Sequence, residues 1–121
     1  MTLLFMIFFH IVDDYYLQGI LAKMKQKSFW NDLAKNGLYK NDYIVALIMH
    51  AFSWAFMIML PIAYKISFVI TPLFLICFGC NVCIHAITDH LKANKQVINL
   101  IHDQAIHITQ IVITYLIFIL V

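Results

Sequence analysis

The sequence predicts an all-α integral membrane protein, a four-helix bundle of transmembrane helices that forms a single domain over residues 1–121. Of the 121 residues, 64% are hydrophobic and 12% are charged, which is too little polar surface to cover a domain in water. Four apolar stretches follow one another along the chain. Each is close to the roughly 20 residues that a helix needs to cross the hydrocarbon core of a bilayer.

The first of these stretches is the most polar. It contains Asp13 and Asp14 in the middle of its apolar run and has no positively charged side chain before them. A cleaved signal peptide has the opposite pattern, so we expect this segment to be a permanent span. The four predicted spans are Thr2–Ala22, Tyr43–Tyr64, Ile66–Leu91 and Ile98–Val121.

The lysines predict how the bundle is oriented. Seven of the eight lie between spans one and two or between spans three and four, and only Lys65 lies in the remaining turn. By the positive-inside rule the lysine-rich side is cytoplasmic. This places both termini outside, in a multi-pass protein of the cell inner (cytoplasmic) membrane. The seven residues are Lys23, Lys25, Lys27, Lys35, Lys40, Lys92 and Lys95.

The segment between the first two spans, residues 23–42, mixes lysines and asparagines with Phe29 and Trp30. This composition predicts an amphipathic segment lying at the membrane interface, or equally a solvated loop with an aromatic anchor. The formal charge of the chain is only +2, so no nucleic-acid partner is expected. The expected partners are the lipid bilayer and, because four spans make a thin bundle, further copies of the chain in a homo-oligomer.

Ionisable residues inside the spans are the most informative feature, because each costs at least a few kcal/mol in lipid and so indicates a functional group. At about 100° per residue, the polar residues of spans one, three and four form one stripe on each helix, and such a stripe faces the bundle interior. His90 and His102 lie off these stripes and are excluded. Measured along the helices at about 1.5 Å per residue, the remaining histidines and aspartates lie near one level in the cytoplasmic half.

Three histidine–aspartate pairs are spaced four residues apart, so both side chains of a pair can reach one metal ion. With His50 added, the ligands exceed the four that a tetrahedral zinc uses. Either two ions share the site, or some carboxylates orient ligands and act as general bases. Zinc is the expected divalent metal, with manganese or iron as alternatives. The predicted ligands are His10, Asp14, His50, His85, Asp89, Asp103 and His107.

These residues predict a membrane-embedded, metal-dependent hydrolase of a phosphoester, ester or amide bond, acting on a lipid-linked or phosphate-containing substrate. The candidate catalytic residues are Asp14, Asp89 and Asp103. Lys92 and Gln18 are candidates for binding substrate, although extension of Lys92 to the membrane surface is the simpler explanation of that lysine.

Other functions are compatible with the same polar stripes. The main alternative is a non-catalytic membrane protein, either an ion or proton conductor or a phage-type effector that binds a host protein. A buried polar network that holds the helices together would also produce the stripes. A bis-histidine haem bundle fits less well, because a carboxylate one turn from each ligand suits haem poorly.

The order of these motifs resembles a family of uncharacterised small membrane proteins of bacteria and their phages, catalogued as a domain of unknown function. The resemblance covers nearly the whole chain and rests on the segments His10–Gln18, His85–Lys92 and Asp103–His107 together with the isolated His50. The family supplies no reaction. It is more distantly similar to inner-membrane metal-dependent hydrolases, and this fold-level similarity implies hydrolysis only by analogy.

Overall fold

The computed structural model describes residues 1–33 and 36–120. Lys35 of the predicted cytoplasmic segment and Val121, the end of the predicted fourth span, lie outside these residues. The elements in the described part are α1 (Thr2–Ile11) continued by a π-helical turn (Val12–Leu17), α2 (Leu21–Met24), α3 (Lys27–Leu33), α4 (Asp42–Lys65), α5 (Pro72–His90) continued by a second π-helical turn (Leu91–Lys95), and α6 (Leu100–Leu120).

The helices α1, α4, α5 and α6 form the bundle, and neighbouring helices run antiparallel. Along α1 and α4 the contacts occur in reversed order, since His10 contacts Trp54 and Asp14 contacts His50. The same reversal holds between α4 and α5 and between α5 and α6. As a result, residues far apart in the sequence meet at the same level of the bundle.

The distribution of side chains is that of a membrane protein. Within residues 1–33 and 36–120, three helices are long and apolar enough to cross a membrane, namely α4, α5 with its π-helical turn, and α6. Large hydrophobic side chains such as Phe52, Ile84 and Ile101 are exposed, whereas histidines, aspartates and amides are buried inside. This arrangement is expected where the solvent is lipid and ionisable groups must face the bundle interior.

The first helical segment is shorter than predicted. The expected helix over Thr2–Ala22 extends too far, because the π-helical turn ends at Leu17 and Gly19 has a φ of +50°. Glycine adopts this left-handed conformation readily, and it commonly ends helices. The segment therefore has 10 residues of α-helix and 6 of π-helix, fewer than the roughly 20 that cross a membrane as regular helix.

The boundary between the second and third predicted spans also differs from the expectation. The predicted span Ile66–Leu91 begins too early, since α5 starts at Pro72. The Thr71 hydroxyl accepts a hydrogen bond from the Phe74 backbone N–H at 3.1 Å, and proline suits the first position of a helix. The Thr-Pro pair fixes the start of α5.

The other two predicted spans agree closely with the structure. Helix α4 extends the predicted Tyr43–Tyr64 by one residue at each end. Helix α6 begins at Leu100, two residues after the predicted start at Ile98. Both segments are apolar enough for membrane insertion, and their limits follow directly from hydropathy.

The segment between α1 and α4 contains the short helices α2 and α3 and is tied to the end of α5. The Asn94 side chain accepts a hydrogen bond from the Lys27 backbone N–H at 2.7 Å and donates one to the Lys25 carbonyl at 2.9 Å. The Trp30 indole donates to the Met24 carbonyl at 2.6 Å. These contacts hold the α2–α3 junction, and with it Lys25, against the bundle.

Buried residues divide the bundle into two halves. The apolar half lies toward the N-terminal end of α1 and is formed by buried residues that pack around Met6, Ile58, Met59, Ile62, Phe74 and Ile111. The polar half lies toward the α2–α3 segment and contains the buried histidines and aspartates. All the predicted ligands lie in the polar half.

Candidate metal centre

His85 lies at the centre of the polar half. It projects from α5 and is 0% exposed, and its ring stacks between Trp54 and His107 with centroids 4.3 and 4.2 Å away. Neither of its ring nitrogens has a hydrogen-bond partner among the described residues. Buried polar atoms are nearly always paired, so this imidazole is a candidate ligand for a cation.

Two carboxylates face the same edge of the His85 ring. His85 Nε2 lies 3.9 Å from Asp14 Oδ1 and 3.7 Å from Asp89 Oδ2. His50 Nε2 lies 3.4 and 3.5 Å from these two oxygens. In a tetrahedral zinc site with ligands at about 2.0–2.2 Å, neighbouring ligand atoms are about 3.3–3.6 Å apart. Two of the four distances fall within this range and two exceed it, so the set suits a divalent cation.

The centre contains two overlapping sets of ligands. Asp14, His50 and His85 form one group, and His85, Asp89 and His107 form another, with ligand atoms in each group lying within 4.8 Å of one another. Three side chains of this kind are enough to hold a divalent cation that keeps a further position open. The buried histidines and aspartates can thus hold a metal ion.

His107 is oriented by a glutamine side chain. Its Nδ1 lies at hydrogen-bond distance from Gln110 Oε1, 3.2 Å away, and its Nε2 lies 3.4 Å from Asp103 Oδ1. The Gln110 amide is itself oriented by the bonds that its Nε2 donates to the Asn81 carbonyl and to Asn81 Oδ1, at 3.4 and 3.3 Å. Histidine ligands are commonly oriented by such a bond from the second ring nitrogen.

Asp103 lies beside the second ligand set. Its Oδ1 is 3.4 Å from His107 Nε2 and has no hydrogen-bond partner among the described residues. Its Oδ2 accepts hydrogen bonds from Lys92 Nζ at 2.6 Å and from Gln104 Nε2 at 3.1 Å. One oxygen is thus fixed, and the other remains free to bind a cation or accept a proton.

His10 is close to the centre but is not free to bind through either nitrogen. Its Nδ1 accepts a hydrogen bond from the Trp54 indole at 2.8 Å, and its Nε2 donates to Gln104 Oε1 at 3.1 Å. A neutral imidazole has one donor and one acceptor, so both are engaged. His10 was predicted as a ligand, and the structure places it as a support for Trp54 and Gln104.

Asp13 is a member of the site that helix angles did not indicate. It is 1% exposed, its Oδ1 accepts a hydrogen bond from the Ser53 hydroxyl at 2.6 Å, and its Oδ2 lies 3.6 Å from His50 Nδ1. The π-helical turn over residues 12–17 widens the helix and turns both Asp13 and Asp14 inward. The high cost of any aspartate in lipid was the signal that could have identified it.

Two further residues were missed, because their positions depend on contacts distant in the sequence. Trp54 supports both His10 and His85 from α4. Lys25 was interpreted only as a topology marker, yet it is buried and its Nζ lies 2.7 Å from Asp89 Oδ2. A lone tryptophan or loop lysine gives no sequence pattern that would reveal such a role.

The two predicted substrate-binding residues lie in a polar cleft of about 70 Å³ beside the centre. Lys92 contacts Asp103, and Gln18 Nε2 donates to His50 Nε2 at 2.9 Å. The hydrogen bond from Gln18 would have to break before His50 Nε2 could bind a metal ion. The cleft has Asp14, Gln18, Lys25, Asp89, Lys92 and Asp103 in its wall, and it is called the polar cleft below.

The two histidines that helix angles excluded do lie outside the centre. His90 stacks on Tyr43 with ring centroids 5.9 Å apart. His102 is exposed, lies about 100° around α6 from Asp103 and lines an apolar groove. They provide natural controls for substitutions within the centre.

Compared with protein-family models, curated proteins and solved structures, the chain matches none of them. The resemblance to small bacterial and phage membrane proteins therefore stays a prediction. What the chain does has to be inferred from its own residues.

Proposed function

We propose that this chain is a membrane-embedded, metal-dependent hydrolase whose active centre lies in the cytoplasmic half of a four-span bundle. The observation that carries the proposal is His85, a fully buried imidazole whose Nε2 has no hydrogen-bond partner among the described residues and lies within 3.9 Å of two carboxylate oxygens. Zinc suits this set of imidazole and carboxylate ligands, with manganese or iron as alternatives.

A metal ion accounts for the centre better than a purely structural polar network. In a structural network each buried atom is satisfied, because an unsatisfied one costs about 1–3 kcal/mol. Here Asp14 Oδ1, Asp103 Oδ1 and His107 Nε2 also lack partners among the described residues. Asp14 Oδ1 lies 3.9 Å from His85 Nε2, and Asp103 Oδ1 lies 3.4 Å from His107 Nε2, so each pair is close enough for both members to bind one divalent cation.

Hydrolysis is favoured because the centre is open on one side. The polar cleft beside it holds about 70 Å³, enough for a water molecule, whose share of liquid volume is about 30 Å³. A bound divalent cation supplies Lewis acidity and lowers the pKa of water. The free oxygen of Asp103 is placed to accept the proton of the attacking water.

The reaction itself adds one water across the broken bond. The water oxygen joins the phosphorus or acyl carbon, the bond to the leaving oxygen or nitrogen breaks, and the leaving atom receives a proton. Asp103 takes the proton from the attacking water and passes it to the leaving atom. Asp14 and Asp89 would hold the metal ion. Lys92, 35% exposed at the cleft, attracts an anionic substrate group.

The proposed topology makes α1 and its π-helical turn the fourth span. Lys25 and Lys92 reach the polar cleft from the same end of the bundle, and Lys65 ends α4 at the other. The positive-inside rule then places the cleft on the cytoplasmic side of the inner membrane, with both termini outside. Exposed Tyr15 and Tyr16 near the end of the first segment suit the membrane interface.

Conduction of protons or ions is less well supported. Beyond the centre, the buried polar side chains Asn81, Gln110 and Thr114 are hydrogen-bonded to one another, and the residues that pack around Met6 and Ile62 are hydrophobic. A conducting path needs polar groups or water along its length. Liposomes that contain the protein are therefore expected to hold a proton gradient as well as empty liposomes do.

The test is a hydrolysis assay on detergent-purified protein stripped of metal and then reloaded with zinc, manganese or iron. We expect turnover of a chromogenic phosphate ester or carboxylic ester only after loading. The variant His85→Ala should lose at least 100-fold in rate, whereas His102→Ala should stay within twofold. If the loaded wild-type protein hydrolyses none of these substrates, or if His85→Ala is as active as wild type, the proposal is wrong.

A further inference from the structure

An apolar groove between α1 and α6 leads from the lipid-facing surface toward the candidate centre. It has a volume of about 510 Å³. Its walls include Ile7, Ile11 and Ile108, and it reaches His10 and Gln104 on the inside. It is called the lateral groove below. Its aliphatic walls suit a hydrocarbon chain rather than a soluble polar molecule.

The lateral groove and the polar cleft meet at two residues, since Tyr15 and Gln104 line both. Gln104 joins the two sides through hydrogen bonds. Its Oε1 accepts from His10 Nε2 on the groove side, and its Nε2 donates to Asp103 Oδ2 on the cleft side. The two spaces are thus adjacent, with Gln104 at the boundary between them.

With a divalent cation bound, the charge of the cleft would favour an anionic head. Its wall carries the carboxylates of three aspartates and the ammonium groups of Lys25 and Lys92, which leaves one net negative charge. A single divalent cation at the centre would reverse this to one net positive charge. Phosphate groups bind in such sites through lysine and metal ions.

A second apolar groove, between α5 and α6, lacks this access. It is larger, about 740 Å³, but shares no lining residue with the polar cleft. Behind it the helices are joined by the hydrogen bond from Asn81 Nδ2 to Thr114 Oγ1 at 2.9 Å and by the bonds from Gln110 to Asn81. It therefore serves as an internal comparison.

From this arrangement we infer that the substrate is an anionic membrane lipid. Its hydrocarbon chain enters sideways from the bilayer through the lateral groove, and its phosphate-bearing head lies in the polar cleft between Lys25 and Lys92. This inference rests on the proposed metal centre and names the substrate class of the same site. It excludes a water-soluble phosphate ester as the preferred substrate.

The test measures binding of dodecyl phosphate to zinc-loaded protein in a non-ionic detergent by native mass spectrometry. Ile108→Trp fills the lateral groove. Ile113→Trp, the matched control on the same helix, places a tryptophan in the α5–α6 groove instead. We expect Ile108→Trp to weaken dodecyl phosphate binding at least tenfold and Ile113→Trp to leave it within twofold. Ile7→Trp, on the opposite wall, repeats the test should Ile108→Trp fail to fold.

Two further probes identify which part of the ligand is recognised. Inorganic phosphate should bind wild type and Ile108→Trp equally, because it needs only the cleft. Lys92→Gln should weaken both inorganic phosphate and dodecyl phosphate. Equal binding of dodecyl phosphate by wild type, Ile108→Trp and Ile7→Trp, with zinc content unchanged, would overturn the lateral route.

Two outcomes distinguish failure of the lipid-binding inference from failure of the proposed hydrolase. Groove-dependent binding of dodecyl phosphate without any hydrolysis would support the lipid site and contradict the hydrolase. Turnover of soluble p-nitrophenyl phosphate together with groove-independent binding of dodecyl phosphate would support the hydrolase and contradict the lipid site.

Discussion

The two halves of the bundle bury side chains of opposite chemistry on the same helices. In the apolar half, Met6, Ile58 and Ile62 are completely buried among hydrocarbon neighbours. In the polar half, six side-chain atoms of histidines and aspartates are buried without a hydrogen-bond partner among the described residues. The comparison teaches that one half stabilises the bundle through close contact, while the other buries polar atoms at a cost that a bound cation would offset.

Removing the metal should lower stability more than the substitutions described below. The loss of stability should come from the polar half alone. When a metal ion is present at 1,000 times its Kd, it stabilises the folded state by about 4 kcal/mol. A chelator should therefore lower the unfolding temperature of zinc-loaded wild-type protein in detergent. The variant His85→Ala serves as the control, because its unfolding temperature should not respond to the chelator. A chelator that strips zinc from the wild-type protein without changing its unfolding temperature would contradict this account.

A cavity in the apolar half should reduce stability and leave the metal centre intact. Replacing a buried isoleucine by alanine costs about 2–5 kcal/mol, and we expect Ile58→Ala to fall near the lower end, because lipid is as apolar as the protein interior. Unfolding in detergent would measure the change, with exposed Ile113→Ala as the matched control. Reduced zinc affinity in folded Ile58→Ala would show that the halves are not independent.

Substitution of Asp13, which lies beside His50, should have a smaller effect that is confined to metal binding. Asp13→Asn keeps the size of the side chain but removes the negative charge near His50 Nδ1. Loss of a residue that orients a metal ligand typically weakens metal binding 10–100-fold, and we expect the same here by competition with a zinc-sensitive dye. Asp42→Asn, at the start of α4 and away from the centre, should have no such effect. Unchanged zinc affinity in Asp13→Asn would remove Asp13 from the site.

The smallest effect is expected at the turn before α5. Thr71→Ala removes the side-chain oxygen that accepts from the Phe74 N–H, and loss of such a cap costs about 1 kcal/mol. Stability should fall by that amount while zinc affinity stays the same. Thr71→Ser retains the hydroxyl and should restore stability. If the serine variant is as unstable as the alanine variant, the cap is not the cause.

Sequence periodicity was sufficient where the helices are regular. The spacing of His85 with Asp89 and of Asp103 with His107 predicted that these residues lie on interior stripes, and the structure brings His85, Asp89 and His107 together. Hydropathy also gave α4 and α6 nearly to the residue. Both patterns depend only on helix geometry, which is the same wherever a helix forms.

The sequence was insufficient where the backbone departs from a regular helix or where contacts are long-range. The π-helical turn turns Asp13 inward, which an angle of 100° per residue does not allow. His10 lies at the predicted level, but Trp54 and Gln104 engage both its nitrogens. Lys25 reaches Asp89 across 64 positions in the chain. None of these features follows from helix periodicity.

The most direct test of the metal centre is elemental analysis of protein purified in detergent without chelator. We predict at least one zinc, manganese or iron ion per chain in the wild-type protein and in His102→Ala, and less than one tenth of that amount in His85→Ala. Circular dichroism would verify that both variants retain their helices. A wild-type protein that remains free of metal even after incubation with zinc, or a His85→Ala variant that binds as much metal as wild type, would contradict the account.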